Sequence, residues 1–216
     1  DYQNNTDELI ISWSGSDAVS GISFYEYALG TTDGGTEEID WTSTGTIRVY
    51  TLTGLTLIEG TTYYLSVRAT DIAENVSDVF TGDGIMIDLT APAGTTVNDG
   101  TGADIAYTSS DTTLSANWPA FTETGSGIAK YEYSIGTSSG GTDVVDWTSN
   151  GTNTSLTKTS LSLSSGTAYY ISVKATDNAG NESTTITSDG VTVDTDAPVA
   201  GNVFDGTDTT DSDWTN

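Results

Sequence analysis

The chain has no cysteine and no histidine, and only 5 of its 216 residues are Lys or Arg, against 31 Asp or Glu. Each shortage closes off a class of chemistry. Without Cys there are no disulfides, thiolate metal sites or Cys nucleophiles, and without His no His-based triad or general base. A formal net charge of -26 repels phosphate backbones and anionic lipid headgroups, which argues against nucleic-acid and membrane-surface partners. No apolar run approaches the roughly 18 residues of a membrane span, so membrane insertion is not expected in this segment. The opening residues carry no charged region followed by an apolar one, so no signal peptide is expected. A start at Asp1 rather than Met suggests an excerpt or a processed product.

What remains is acidic, rich in Thr, Ser and Gly, and poor in large aliphatics. Leu, Ile, Val and Phe together make just under one fifth of the chain, a composition that borders on disorder. The residue pattern argues for folded structure instead. Shifted by 106 positions, Asp40-Trp41 meets Asp146-Trp147, and Gly60-Thr61-Thr62-Tyr63-Tyr64 meets Gly166-Thr167-Ala168-Tyr169-Tyr170. Ala91-Pro92 likewise meets Ala197-Pro198, and Asp99-Gly100-Thr101 meets Asp205-Gly206-Thr207. A period this long is a whole domain with its own core, not a solenoid turn. The expected organisation is a first repeat over 1–92 that lacks its opening strand, a complete repeat over 93–199, and the start of a third over 200–216. This frame fits an excerpt from a longer array. It also allows head-to-tail strand donation, the tail of one copy supplying the missing edge strand of the next.

Within each repeat the apolar residues alternate. Leu114, Ala116 and Trp118 share one face, as do Leu9, Ile11 and Trp13. Tyr131, Tyr133 and Ile135 alternate with Lys130, Glu132 and Ser134, and Tyr169, Ile171, Val173 and Ala175 with Tyr170, Ser172, Lys174 and Thr176. Period-2 alternation with one wet face predicts antiparallel sheets packed face to face, and no window shows helical spacing. The fold class is therefore all-β: tandem antiparallel β-sandwiches, an architecture shared by immunoglobulin-like domains among others.

These residues resemble a fibronectin type III domain. The resemblance rests on Trp118 closing the second strand, the Tyr131-Glu132-Tyr133 centre, and Leu161…Gly166-Thr167-Ala168-Tyr169 followed by Ile171, Val173 and Ala175, with the same pattern around Trp13, Tyr25 and Tyr63. It departs where the family has Pro before the corner Gly; here Glu59 and Ser165 stand there. The Thr176-Asp177-Asn178-Ala179-Gly180-Asn181 turn and the Asp194-Thr195-Asp196-Ala197-Pro198 exit are similar to bacterial extracellular Ig-like repeats, often strung along adhesins and secreted enzymes. The resemblance implies tyrosine corners at Tyr63 and Tyr169. It also implies an extracellular, secreted or cell-surface location in a bacterium.

Four kinds of site can be weighed. Catalysis would have to rest on carboxylate pairs, and no motif marks one, so the chain is read as no enzyme. Trp41 and Trp147, each preceded by Asp, could stack on a sugar while Asp bonds its hydroxyls, or could cover a sheet edge. In the layout the resemblance implies, the exit of the first repeat meets the end loops of the second. Asp88, Asp99, Glu123, Asp177 and Asn181 are then candidate Ca²⁺ ligands at the domain joint, since that ion takes 6–8 oxygens. The same Asp and Asn suit a tight turn with no ligand at all. The sequon matches at Asn4, Asn75, Asn150, Asn153 and Asn181 are read as chance in a Thr/Ser-rich bacterial chain. The expected role is a non-catalytic structural spacer of an adhesin, stalk or fibre, its partners being neighbouring repeats. The alternatives are a glycan- or surface-binding module and spacer domains of a secreted hydrolase.

Overall fold

A computed structural model describes residues 1–201. The start of a third repeat expected from 200 onward therefore lies almost wholly outside the described residues. Among those residues there is no helix, and two separate hydrophobic cores form. The first half contributes eight strands: β1 (Tyr2–Gln3), β2 (Glu8–Ser12), β3 (Ile22–Gly30), β4 (Ile39–Gly45), β5 (Val49–Thr53), β6 (Thr62–Asp71), β7 (Phe80–Thr81) and β8 (Ile85–Ile87). One sheet runs in the order β1-β8-β6-β3-β4 with β7 also on β6, and it packs on the pair β2-β5.

The second half repeats this with one addition. Its strands are β9 (Asn98–Asp99), β10 (Tyr107–Thr108), β11 (Leu114–Asn117), β12 (Ile128–Gly136), β13 (Val145–Gly151), β14 (Ser155–Lys158), β15 (Ala168–Asp177), β16 (Ile186–Thr187) and β17 (Val191–Val193). The larger sheet is β10-β17-β15-β12-β13, and the smaller is β14-β11-β9. The extra strand β9 pairs antiparallel with β11, Asp99 opposite Ala116, and has no counterpart beside β2. The opening segment thus begins in one sheet as β9 and crosses to the other as β10, where it pairs parallel to β17.

The alternating residues build the cores. Tyr131, Ile135, Ile171 and Val173 are buried beneath Leu114, Ala116 and Trp118, and Tyr27, Leu29 and Tyr63 do the same beneath Leu9 and Ile11. Both expected tyrosine corners are formed. The Tyr169 hydroxyl accepts the Ser164 N–H at 2.9 Å, and the Tyr63 hydroxyl accepts the Ile58 N–H at 2.9 Å. Each corner needs a residue at positive φ just before its strand, supplied by Gly166 (φ 79) and Gly60 (φ 73), a conformation open to Gly without steric cost.

Two outward assignments need correction. Ser134 and Ser172, expected on the wet face, are both fully buried. They pair across β12 and β15. Ser134 donates to the Gly141 carbonyl at 3.2 Å, while Ser172 shares a 2.9 Å hydroxyl hydrogen bond with Thr187 of β16. A small hydroxyl can lie under neighbouring chain when its polar atom is satisfied, which alternation alone does not show.

Candidate functional site

The joint between the sandwiches is built from the exit of the first and two end loops of the second. After β8 the chain passes Asp88 and enters the second domain at Ala93, which forms a bridge with Thr122. This places Asp88 beside the loop that follows β11 and the turn that follows β15. The Asp88 side chain is buried, at 3% exposure, although it carries a charge. Its carboxylate accepts the Ser126 N–H at 2.7 Å and the Thr90 N–H at 3.1 Å. Its backbone carbonyl accepts the Asn181 side-chain N–H at 2.8 Å, across 93 residues of sequence. Gly125 lets this happen, since a Cβ there would sit on the Asp88 carboxylate. Burial works to raise the Asp88 pKa, but the hydrogen bonds from Ser126 and Thr90 outweigh it and hold the carboxyl below its usual range.

Asp177 closes the turn. Its Oδ1 accepts the N–H groups of Ala179 at 2.9 Å and Asn181 at 2.8 Å, and its Oδ2 accepts the Asn181 side chain at 2.9 Å. This local chemistry explains the Asp-Asn-Ala-Gly-Asn sequence as a turn. The joint adds proximity: carboxylate oxygens of Asp88, Glu123 and Asp177 all lie within 4.8 Å of one another. Glu123 Oε1 accepts the Gly125 N–H at 2.5 Å, and its Oε2 is buried without a hydrogen-bond partner. Of the five candidate cation ligands, the structure brings together Asp88, Glu123, Asp177 and Asn181.

Asp99 lies elsewhere. It ends β9 opposite Ala116, and its carboxylate clusters with those of Asp104 and Asp189 rather than with the joint residues. There it is fully buried beside Asp104 and Asp189. Burial foremost, with the charges of Asp104 and Asp189, pushes its carboxyl up to about 6 against the opposing influence of the nearby Ser188 hydroxyl and the Gly190 N–H.

Trp41 and Trp147 lie half-exposed on β4 and β13. The structure places a cation over each ring: the Arg68 guanidinium is 4.3 Å from the Trp41 centroid, and the Lys174 ammonium is 4.9 Å from that of Trp147. Each cation also pairs with a carboxylate, Arg68 with Glu26 and Lys174 with Glu182, both at 2.8 Å. These caps occupy a ring face that a sugar would stack on. Sequence reasoning did not find them, although Arg68 and Lys174 stand at matching positions of the two repeats.

The two sandwiches have the fibronectin type III-like fold. No family model matches the sequence. Exoglucanase B of Cellulomonas fimi is 31% identical over 202 residues, which is 92% of this chain and 16% of the exoglucanase. Among solved structures, the fibronectin(III)-like modules of Clostridium thermocellum CbhA share 16% identity with a TM-score of 0.50, covering 89% of this chain and 88% of that one. A three-domain titin fragment gives 17% identity and a TM-score of 0.52, covering 89% and 60%.

Proposed function

We propose that this chain is a structural spacer within a longer extracellular bacterial protein, two stiffly coupled sandwiches that set the distance between the parts on either side. The observation that carries it is the seating of Asp88. An exposed flexible linker would leave that carboxylate in water, whereas here it is buried and hydrogen-bonded to the neighbouring domain. Such a joint resists bending, because any hinge motion strips a buried charge of its partners. The likeness to one sixth or so of an exoglucanase, about 16% of its length, favours spacer domains of a polysaccharide hydrolase over an adhesin stalk or fibre. A polymer-cleaving enzyme meets its substrate outside the cell, which supports an extracellular setting. The chain's own part is then non-catalytic, and the capped rings of Trp41 and Trp147 weigh against glycan stacking as its main role.

The Asp88–Glu123–Asp177 cluster suits a Ca²⁺ ion that would stiffen the joint further. Small-angle scattering of the whole chain, with EDTA and then with Ca²⁺, tests the spacer reading. An elongated particle of fixed maximum dimension is expected, with Asp88→Ala broadening the distance distribution. A wild-type chain already sampling many interdomain angles would overturn it, and so would glucan hydrolysis or tight cellulose binding by this chain alone.

A further inference from the structure

A second carboxylate cluster lies inside the second sandwich, away from the joint, and the spacer role makes no use of it. Asp99 sits where the opening segment turns at Gly100 (φ 98) to cross between sheets. Its side chain is fully buried. Oδ2 accepts the Gly190 N–H at 3.1 Å, but Oδ1 has no hydrogen-bond partner among the described residues. Two more carboxylates face it. Asp104, on the crossing loop, turns back so that its Oδ1 accepts the Asp99 N–H at 2.7 Å. Asp189 comes from the bend between β16 and β17. Oxygens of all three lie within 4.8 Å of one another.

This arrangement has an orphaned buried acceptor and like charges at close range, both of which cost free energy unless a positive group intervenes. No basic side chain does so: the three ion pairs among the described residues involve Arg68, Lys130 and Lys174, all with other partners. Asp104 and Asp189 are exposed, so an ion can enter from solvent and rest against the buried Asp99. The crossing loop is held in position, since the Asn117 side chain donates to the carbonyls of Gly100 at 3.0 Å and Gly102 at 2.8 Å. The donors are all oxygen, with neither His nor Cys within the chain, which selects a hard divalent cation and by coordination flexibility Ca²⁺ over Mg²⁺.

We propose that Asp99, Asp104 and Asp189 form a Ca²⁺ site that staples the sheet-crossing loop to the bend before the last strand of the second sandwich. Waters complete the shell. The first sandwich retains Asp83 in place of Asp189 but has no counterpart of Asp99 or Asp104 within this chain, so it serves as an internal control. Asp99-Gly100-Thr101 recurs as Asp205-Gly206-Thr207, as expected if the site belongs to the repeat.

The test is calorimetric titration of the EDTA-stripped whole chain with CaCl₂, paired with thermal melts in EDTA and in Ca²⁺. Wild type is compared with D104N, D189N and the joint variant E123Q. Removing one ligand charge at this site is expected to weaken one Ca²⁺ equivalent by about tenfold or more. D189N should melt in EDTA at or above the wild-type temperature, because a repulsive charge is gone, yet lose the Ca²⁺-induced rise of the second sandwich. That crossover is not expected of a residue that only shapes the loop. E123Q should leave this equivalent intact. Unchanged isotherms in both D104N and D189N, or no Ca²⁺ binding by wild type at millimolar ion, would overturn the proposal. Loss of the only Ca²⁺ equivalent in E123Q would overturn it while leaving the joint site standing.

Discussion

The loop after the second strand is built twice in this chain and closed in two different ways. In the first sandwich Asp17 closes it from within: Oδ1 accepts the N–H groups of Val19 at 3.1 Å, Ser20 at 2.7 Å and Gly21 at 2.8 Å. In the second, the N–H of Ser126, the counterpart of Ser20, is bound by Asp88 of the preceding domain. The turn before the seventh strand shows the same contrast. Asp71 and Asp177 make the same hydrogen bonds to Asn75 and Asn181, yet Asp71 is partly open to solvent while Asp177 is buried. The hydrogen bonds from the Asn are shared, with one more from the Ala179 N–H to Asp177; the larger difference is whether another domain seats on the turn.

The cores differ for a related reason. Phe121 and Val97 join Trp118 and Tyr131 in the second core. The first sandwich has no aromatic residue in the matching loop and no strand like β9. A groove of about 640 Å³ opens there, lined by Trp13, Tyr25, Val67 and Phe80 among others. Phe80 is 74% exposed, whereas its counterpart Ile186 packs against the core.

Breaking the core contrast should give the largest effect. Trp118→Ala is expected to cost the second sandwich about 3–5 kcal/mol, as for other buried aromatics, and Trp13→Ala clearly less in the first. Denaturant unfolding followed for each sandwich measures this; equal losses would mean the groove does not weaken the first core. Next comes the joint. Asp88→Ala leaves the buried Ser126 N–H unpaired and should cost about 1–3 kcal/mol in the second sandwich. Asp17→Ala should leave that domain untouched, and calorimetry with separate transitions reads both.

A smaller effect sharpens what the two halves share. Tyr63→Phe and Tyr169→Phe each remove the corner acceptor and should cost about 1 kcal/mol, similarly in both sandwiches. A large difference in their melting shifts would show that the corners are not equivalent. The smallest effect concerns acid. Backbone hydrogen bonds from Gly21, Ser20 and Val19 hold the Asp17 carboxyl below its usual range. A group lowered in the folded state adds stability that is full above the ordinary carboxylate range and lost as pH falls through its folded value. Asp17→Asn should therefore flatten the acid-side fall in melting temperature of the first sandwich and leave the second unchanged. Melts between neutral and acid pH check this.

Much of the fold was legible because it depends on neighbours in sequence. Alternation at Leu9, Ile11, Tyr131 and Tyr133 marks faces, and Gly60 and Gly166 mark the corners before Tyr63 and Tyr169. The placement of Asp88 against Glu123, Asp177 and Asn181 could be expected only through the family layout, since no spacing along the chain announces it. Asp99 falls in a different cluster from the joint because its neighbours Asp104 and Asp189 are brought to it by the fold and not by any spacing along the chain. The cations over Trp41 and Trp147 were missed because they stand on strands that are not consecutive, and Ser134 and Ser172 because their cover comes from other segments.

The sequence by itself determined that there are two sandwiches, which side chains face each core, and that Asp177 closes a turn, whose counterpart at Asp71 the structure shows; these follow from periodicity and short-range hydrogen bonding. Only the tertiary structure decided that one of those turns is buried under a neighbouring domain, and that Asp99, Asp104 and Asp189 meet. Burial and charge clustering arise from segments far apart in the chain, and their energies are set by what surrounds a carboxylate in space.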